Sequence, residues 1–189
     1  MRRVLNIRGG HASGKTEAVR QYLIQHEHEE MTLEIGRWTS AINLIDGGKI
    51  IVLGYYPEEG CGGVDRYSSK QQTMATIVES VRRFSPDSIV YEGIMYSVTC
   101  RLSHEIAKLS RSLGYEWKAV LLEREFAERK ALLEYRNDGA DYSEQNFVVS
   151  IQRARRSCEM LVEKGENIEV VDVTGWRKQD MGRIIEQRL

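Results

Sequence analysis

A glycine-rich segment near the start of the chain has the residue types needed to bind phosphate. Residues 9–16, GGHASGKT, fit the pattern G-x-x-x-x-G-K-[ST] between an apolar run, Val4–Arg8, and a helical pattern. Glycines let backbone N–H groups approach phosphate oxygens, and the start of a helix adds positive potential there. The residues predicted to bind the phosphates of a nucleoside triphosphate are Gly9, Gly10, His11, Ala12, Ser13, Gly14, Lys15 and Thr16.

Two side chains of this phosphate loop (residues 9–16) have more specific expected roles. Lys15 is predicted to contact the β- and γ-phosphates and to take part in catalysis, and Thr16 to offer its hydroxyl to Mg²⁺. The expected cofactors are therefore ATP and Mg²⁺. Because ATPases, GTPases and kinases share such a loop, the rest of the sequence must discriminate among them.

Three features of the sequence favour a kinase: the length of the chain, the absence of a GTPase signature and a segment that could form a lid. A chain of 189 residues disfavours a motor or helicase, and the GTPase base-reading sequence Asn-Lys-x-Asp is absent. Residues 124–143 predict a helical lid, in which Arg129 and Arg136 lie seven apart on one helical face. Both are candidate catalytic residues, because phosphoryl transfer needs cations over the transferred group. A solvated helix with pairs such as Glu125–Arg129 is the alternative.

Two segments could serve the hydroxyl that accepts the phosphate. The apolar run Ser88–Tyr91 ends in Glu92, a candidate catalytic residue that is predicted to hold Mg²⁺ through water or to orient the substrate. Residues 60–67, GCGGVDRY, contain Asp65, a candidate general base.

The same glycine-rich segment has residue types suited to holding the acceptor. Arg66 could bind a phosphate of the acceptor, and the nearby Tyr55, Tyr56 and Tyr67 could stack on a base. An ordinary glycine-rich loop with an aspartate turn explains these residues equally well. The predicted acceptor-binding residues are Gly62, Gly63, Arg66 and Tyr67.

Strand and helix patterns alternate along most of the chain, which predicts an α/β fold. We expect a single domain, residues 1–189, built as a three-layer sandwich around a mostly parallel five-stranded sheet. An inserted β-hairpin, Ile42–Ile45 and Ile50–Tyr55, and the helical lid would complete it. The predicted strands of the sheet are Val4–Arg8, Met31–Arg37, Ser88–Tyr91, Lys118–Glu123 and Ile168–Val173. The predicted helices are Thr16 to about Glu29, Ser69–Phe84, Ser97–Leu113, Glu125–Arg136, Glu144–Lys164 and Trp176–Leu189.

Composition predicts a cytoplasmic protein without a strong general affinity for nucleic acid. Three cysteines without a Cys-x-x-Cys pair fit a reducing compartment, and no apolar run approaches the length of a membrane span. The formal net charge is −1. Two small basic clusters, residues 153–156 and 177–178, could still contact phosphates of DNA, although such clusters are commonly solvated faces.

Four segments in this order, GGHASGKT, VLGYY, CGGVDRY and VYEG, resemble the small phage-type members of the P-loop nucleotide-kinase superfamily. These members include kinases that phosphorylate the hydroxymethyl group of 5-hydroxymethyluracil in phage DNA. The resemblance implies an ATP-dependent kinase in which Lys15 and Thr16 serve ATP·Mg²⁺ and Asp65 is the base. It also implies DNA with a modified pyrimidine as partner, in the host cytoplasm.

Two alternatives to this function stay open. A kinase of a free (deoxy)nucleotide or another small molecule would use the same parts with a different acceptor. A nucleotide-binding regulatory module, which hydrolyses little and signals to a partner, would need the phosphate loop but not Asp65.

Overall fold

The computed structural model describes residues 1–57, 62–136 and 143–189. Within these residues, seven strands form one mixed sheet that helices flank. The strands are β1 (Arg3–Arg8), β2 (His28–Ile35), β3 (Trp38–Ile45), β4 (Ile50–Leu53), β5 (Ser88–Glu92), β6 (Glu116–Glu123) and β7 (Asn167–Asp172). The helices are α1 (Lys15–Gln25), α2 (Lys70–Phe84), α3 (Ile94–Val98), α4 (Cys100–Ser112), α5 (Phe126–Arg136), α6 (Glu144–Glu163) and α7 (Arg183–Glu186).

The order of the strands places the end of β1 at a switch point. The sheet runs β2-β3-β4-β5-β1-β6-β7, and the pairs from β4 through β7 are parallel. The chain reaches β5 on one side of β1 and then crosses to β6 on the other side. Ligands of open α/β sheets bind where strand order reverses, outside the carboxyl ends of the strands. The phosphate loop follows β1 at this position.

The α/β class is confirmed, but the prediction of a mostly parallel five-stranded sheet was wrong. The predicted hairpin is present as β3 and β4, which pair antiparallel. A second hairpin precedes it, because β2 pairs antiparallel with β3 from His28–Ile45 to Ile35–Trp38. The sequence predicted helix to about Glu29, but α1 ends at Gln25 and β2 begins three residues later. Only Leu33 of β2 is buried, so the alternating apolar signal of this strand is weak.

Each face of the sheet has its own apolar core. On one face, Leu5 and Ile7 of β1 pack in a cluster that includes Val19 of α1 and Ile184 of α7. On the other face, Val4 belongs to a cluster that includes residues of α2, α4 and α6. Alternate residues of one strand thus contact helices on opposite sides, as the period of a strand requires. The arrangement is compatible with a three-layer sandwich.

None of the helices in the described parts of the chain combines the length and apolarity needed to cross a membrane.

Helix α2 leads away from the glycine-rich segment, and a side chain caps its first turn. The Ser69 hydroxyl accepts a hydrogen bond from the backbone N–H of Gln72 at 3.2 Å. We expect Ser69→Ala to lower the free energy of unfolding by about 1 kcal/mol, because one N–H of the first turn loses its partner. Urea unfolding of the purified protein measures this difference.

The matched control is Ser112→Ala. Ser112 is exposed in the last turn of α4, where its hydroxyl donates to the carbonyl of Leu109 at 2.8 Å. This change should stay within about 0.5 kcal/mol of the wild type. Equal losses in the two variants would contradict a capping role for Ser69.

Candidate nucleotide and acceptor site

The phosphate loop has a backbone shape that its glycines permit. Gly9 has φ +150°, and a Cβ at this position would overlap the side chain of Ser13. The Gly9 N–H donates to the Ser97 hydroxyl at 3.2 Å, and the His11 N–H donates to the Ser150 hydroxyl at 3.1 Å. The first part of the loop is therefore anchored to α3 and α6, while the exposed His11 side chain points outward.

The other end of the loop presents the start of α1 without a capping side chain. Gly14 is the N-cap residue of α1 with φ +95°, and a glycine has no side chain to accept the first N–H groups. The Ser13 hydroxyl is buried and has no hydrogen-bond partner among the described residues. Open donors at a helix N-terminus are suited to phosphate oxygens, so this loop fits the triphosphate that its sequence predicts.

Lys15 lies within the loop that it is predicted to serve. Its side chain is buried, and Nζ donates to the carbonyl of Gly10 at 3.1 Å. The ammonium group is thus held over the loop rather than extended into solvent. A phosphate bound by the loop would meet this charge at short range.

Glu92 and Thr16 are in direct contact although they are 76 residues apart. The Thr16 hydroxyl donates to Glu92 Oε1 at 3.0 Å. The contact follows from the sheet, because parallel pairing places Glu92 beside Ile7 at the ends of β5 and β1. Both residues predicted to bind Mg²⁺ therefore meet at one point. Mg²⁺ in nucleotide sites takes one or two carboxylates together with phosphates and water, so the pair fits this cation.

The protonation of Glu92 is shifted by its surroundings. The residue is 1% exposed. Burial, followed by repulsion from Asp65, raises its pKa from 4.5 to about 7, while Lys15, the Thr16 hydrogen bond and Arg20 act in the opposite direction. Near neutral pH, the Glu92 carboxyl group is therefore partly protonated and partly ionised.

The predicted acceptor residues of the 62–67 segment lie against Glu92. A Cβ at Gly63, which has φ +79°, would lie within 2.5–2.8 Å of Glu92 atoms, so no side chain fits there. The Gly63 N–H also donates to the carbonyl of Tyr55 at 3.0 Å. Gly62 is buried as well, and Arg66 is exposed at the end of the segment. Residues 58–61, the first part of the predicted loop, lie outside the described residues.

Asp65 is exposed near Glu92 and holds the start of α3. Its Oδ2 accepts from the Ile94 N–H at 2.7 Å, and Oδ1 lies 3.5 Å from the Met95 N–H. The carboxylate therefore ties the 62–67 segment to the end of β5. Its role as a general base stays a prediction.

The three tyrosines of this region differ in their freedom to contact a ligand. The Tyr56 ring is buried and its hydroxyl donates to the Leu53 carbonyl, and the half-buried Tyr67 donates to the Ala41 carbonyl at 2.6 Å. Tyr55 is 47% exposed. Tyr55 is therefore better placed than the other two to stack on a base, whereas Tyr67 connects the segment to β3.

The predicted lid arginines are only partly described. The predicted helix is present as α5, but the side chain of Arg136 and residues 137–142 lie outside the described residues. Arg129 is 2% exposed; its Nε donates to the Arg124 carbonyl at 2.8 Å and its Nη2 to the Leu122 carbonyl at 3.3 Å. Burial lowers the pKa of Arg129 to about 10, so it remains charged at neutral pH. It lies behind the phosphate loop, not on an exposed lid face, and its catalytic role stays a prediction.

Two further arginines complete the surroundings of the loop. Arg124 pairs with Glu128, and its Nη2 would lie 3.7 Å from a Cβ at Gly14. Arg8, which the sequence analysis did not select, is fully buried at the end of β1. The sequence signal that could have identified Arg8 is a charged residue in an apolar strand, directly before the glycines.

Positive charge is concentrated around the phosphate loop. In the described part of the chain, the buried lysines and arginines are Arg8, Lys15, Arg124 and Arg129. Lys15 lies in this loop, Arg8 directly precedes it and Arg124 lies near Gly14. Arg129 donates to the Leu122 carbonyl, which lies next to Gly9, and the acid buried beside Thr16 is Glu92. Preorganised cations in a low-dielectric site bind a polyanion and stabilise charge that develops during phosphoryl transfer.

Four of the five basic residues in the clusters predicted to contact DNA pair with acids, and the fifth, Arg153, is exposed. Arg155 pairs with Glu123, and Arg156 pairs with Glu159. In the second cluster, Arg177 pairs with Asp180 and Lys178 with Glu17. These pairs offset the charge that would attract a DNA backbone.

The raised pKa of Glu92 predicts a pH-dependent stability. The folded chain binds this proton more tightly than the unfolded chain, so the contribution is complete below about pH 4.5 and is lost as the pH rises through about 7. Because Glu92→Gln stays neutral, its free energy of unfolding should rise relative to wild type between about pH 5 and 8, by up to roughly 3 kcal/mol. Urea unfolding across this range measures the difference.

Glu105→Gln is the control for this experiment. Hydrogen bonds from Lys70 and Arg101 lower the pKa of Glu105, so its removal should not produce a relative gain with rising pH. A Glu92→Gln difference that stays constant with pH would contradict the raised pKa.

Comparison with models of known protein families and with curated proteins finds no match to this chain. The functional assignment therefore depends on the geometry of the site and on the sequence motifs.

Proposed function

We propose that the chain is an ATP-dependent kinase that transfers the γ-phosphate to an alcohol group. The observation that carries the proposal is the contact between Thr16 and Glu92 beside a phosphate loop that buried cations surround. Phosphoryl transfer requires three parts on the donor side: the uncapped amides at the start of α1, a lysine and a hydroxyl–carboxylate pair. Their position at the switch point of the sheet supports the same conclusion.

On the donor side, each group has a distinct part. The amides at the start of α1 bind phosphate oxygens, and Lys15 neutralises charge on the transferred group. Thr16 and Glu92 would hold Mg²⁺, which would neutralise charge on the phosphates when it is bound. Arg124 and Arg129 add fixed positive potential from the side of β6.

On the acceptor side, Asp65 takes the proton of the attacking hydroxyl. It lies at the carboxyl edge of the sheet, on the segment that packs against Glu92. Glu92 is the alternative base, because burial keeps its pKa near neutral pH. The exposed Arg66 and the exposed ring of Tyr55 flank the segment and bind the acceptor.

Two acceptors are supported by different observations. The resemblance to phage-type kinases favours the hydroxymethyl group of 5-hydroxymethyluracil in DNA. The ion pairs in both basic clusters favour a free nucleotide, because a DNA backbone would have to compete with the paired carboxylates.

Variants of the donor and acceptor sides separate a kinase from a regulatory nucleotide-binding module. We expect Lys15→Ala to lose both ATP affinity and transfer, because it removes the buried charge from the loop. Asp65→Asn should bind ATP as the wild type does, since an amide oxygen can still accept from α3, but transfer should fall by at least about a hundredfold. Calorimetric titration with ATP and a radiolabelled transfer assay measure the two quantities.

Asp46→Asn is the matched control, since Asp46 pairs with Lys49 in the turn before β4, at the opposite edge of the sheet. It should retain both properties. Unchanged transfer in Asp65→Asn would exclude Asp65 as the base and leave Glu92 to be tested. ATP binding without transfer to any alcohol acceptor would support the regulatory module.

The acceptor is tested by direct competition. Wild-type protein with labelled ATP is given duplex DNA that contains 5-hydroxymethyluracil, or the matching free mononucleotide, with Lys15→Ala as background. Label in the modified DNA, and not in unmodified DNA, is the expected result for the DNA acceptor. Label only in the mononucleotide would overturn the DNA assignment and establish the free-nucleotide alternative.

A further inference from the structure

Arg8 is a fully buried cation that has no individual part in the donor and acceptor chemistry above. Its Nη1 donates to Asn6 Oδ1 at 3.1 Å and to the Ser103 hydroxyl. Its Nη2 donates to the Ser97 carbonyl and to the Ser157 hydroxyl, both at 2.7 Å. All of these acceptors are neutral, and no carboxylate of the described residues forms an ion pair with Arg8. A buried charge without a counter-charge is costly, so its presence needs a compensating interaction.

The network around Arg8 leads directly to the phosphate loop. Arg8 is the residue before Gly9, and the Ser97 that accepts from its guanidinium also accepts from the Gly9 N–H at 3.2 Å. The Ser97 hydroxyl in turn donates to the carbonyl of Gly93, the residue after Glu92, at 2.9 Å. The guanidinium thus connects the end of β1 with α3, α4 and α6 behind the loop, and Ser97 extends the network to Gly93 after β5.

We propose that Arg8 is a positioning residue of the phosphate loop and that its buried charge is balanced by the phosphates of the bound nucleotide. The hydrogen bonds to neutral oxygens hold the guanidinium in place but do not cancel its charge. In a low-dielectric interior, an approaching polyanion gains more from such a charge than it would in water. This inference rests on the proposed function, because it requires a nucleotide in the loop.

A dependence on phosphate charge distinguishes this role from simple packing. We would titrate ATP, ADP and AMP into the wild type, Arg8→Gln and Arg8→Lys. Gln retains hydrogen-bond donors for the neutral oxygens but has no charge, whereas Lys retains the charge. We expect Arg8→Gln to weaken ATP binding by at least about tenfold and AMP binding much less, so that the ATP-to-AMP affinity ratio falls. Arg8→Lys should keep this ratio within about twofold of the wild type.

Arg188→Met is the matched control. Arg188 has a side chain that is 9% exposed, but it pairs with Glu169 on β7, away from the loop. This variant should lose stability, because Glu169 loses its partner, yet keep the wild-type affinity ratio. It shows how a merely structural arginine behaves in the same assay.

The outcomes separate the two proposals. Equal weakening of all three nucleotides in Arg8→Gln would overturn the role of Arg8 and leave the kinase proposal intact. Absence of binding by the wild type to any of the three would overturn both. If Arg8→Gln does not fold, Arg8→Met takes its place, because an apolar side chain of similar length can occupy a buried site without the cost of an uncompensated polar group. A lowered ATP-to-AMP ratio in Arg8→Met supports the proposal, and an unchanged ratio overturns it.

Discussion

Burial of positive charge beside the carboxyl end of β1 is the constraint on which the rest of the site depends. Arg8, Lys15, Arg124 and Arg129 are all buried around one loop, although burying a charge is costly without compensation. Arg124 pairs with the Glu128 carboxylate. Arg129 donates to the backbone carbonyls of Leu122 in β6 and of Arg124. Glu123 and Asp172 also lie near Arg129, so acids surround this cation, whereas Arg8 forms no ion pair with a described carboxylate. The nucleotide polyphosphate that we propose as ligand would bring negative charge to the buried cations and to the amides at the start of α1.

The topology of the sheet makes this concentration of charge possible. Because β1 lies between β5 and β6, the ends of both neighbours reach the loop, one with Glu92 and the other with the buried arginines. The predicted hairpin, β3 and β4, also serves the site. The Tyr67 hydroxyl donates to the carbonyl of Ala41 in β3, and the Gly63 N–H donates to the carbonyl of Tyr55, two residues after β4. These bonds fix the 62–67 segment against Glu92.

The parts of the site that the sequence predicted are those with a local signal. The phosphate loop follows from eight consecutive residues, and Glu92 follows from its place at the end of an apolar strand. The meeting of Thr16 with Glu92, by contrast, depends on which strands are neighbours, and residues distant in sequence do not reveal this. The predicted strand Met31–Arg37 is present as β2, but its start was predicted as helix because its charged residues resemble a helix end, and its antiparallel pairing with β3 has no local signal. Arg8 and the burial of Arg129 were missed for a related reason: sequence periodicity does not show which charged side chains tertiary contacts enclose.

The same distribution of charge bears on how an acceptor is recognised. The cations at the loop are buried, whereas Arg155, Arg156 and Arg177 in the two surface clusters are paired with acids. Under the proposed function, recognition by charge is concentrated at the phosphate loop rather than spread across a basic face. A base in duplex DNA can reach this loop only after it leaves the stack. A flipped 5-hydroxymethyluracil and a free mononucleotide would then present the same hydroxyl to Asp65 and the same ring to Tyr55. The two acceptors differ in the flanking DNA backbone, and to bind it the paired arginines would have to exchange their carboxylates for phosphates. Rising salt weakens the arginine–carboxylate pairs and so makes them easier to break. Rising salt also weakens the arginine–phosphate contacts that would replace them.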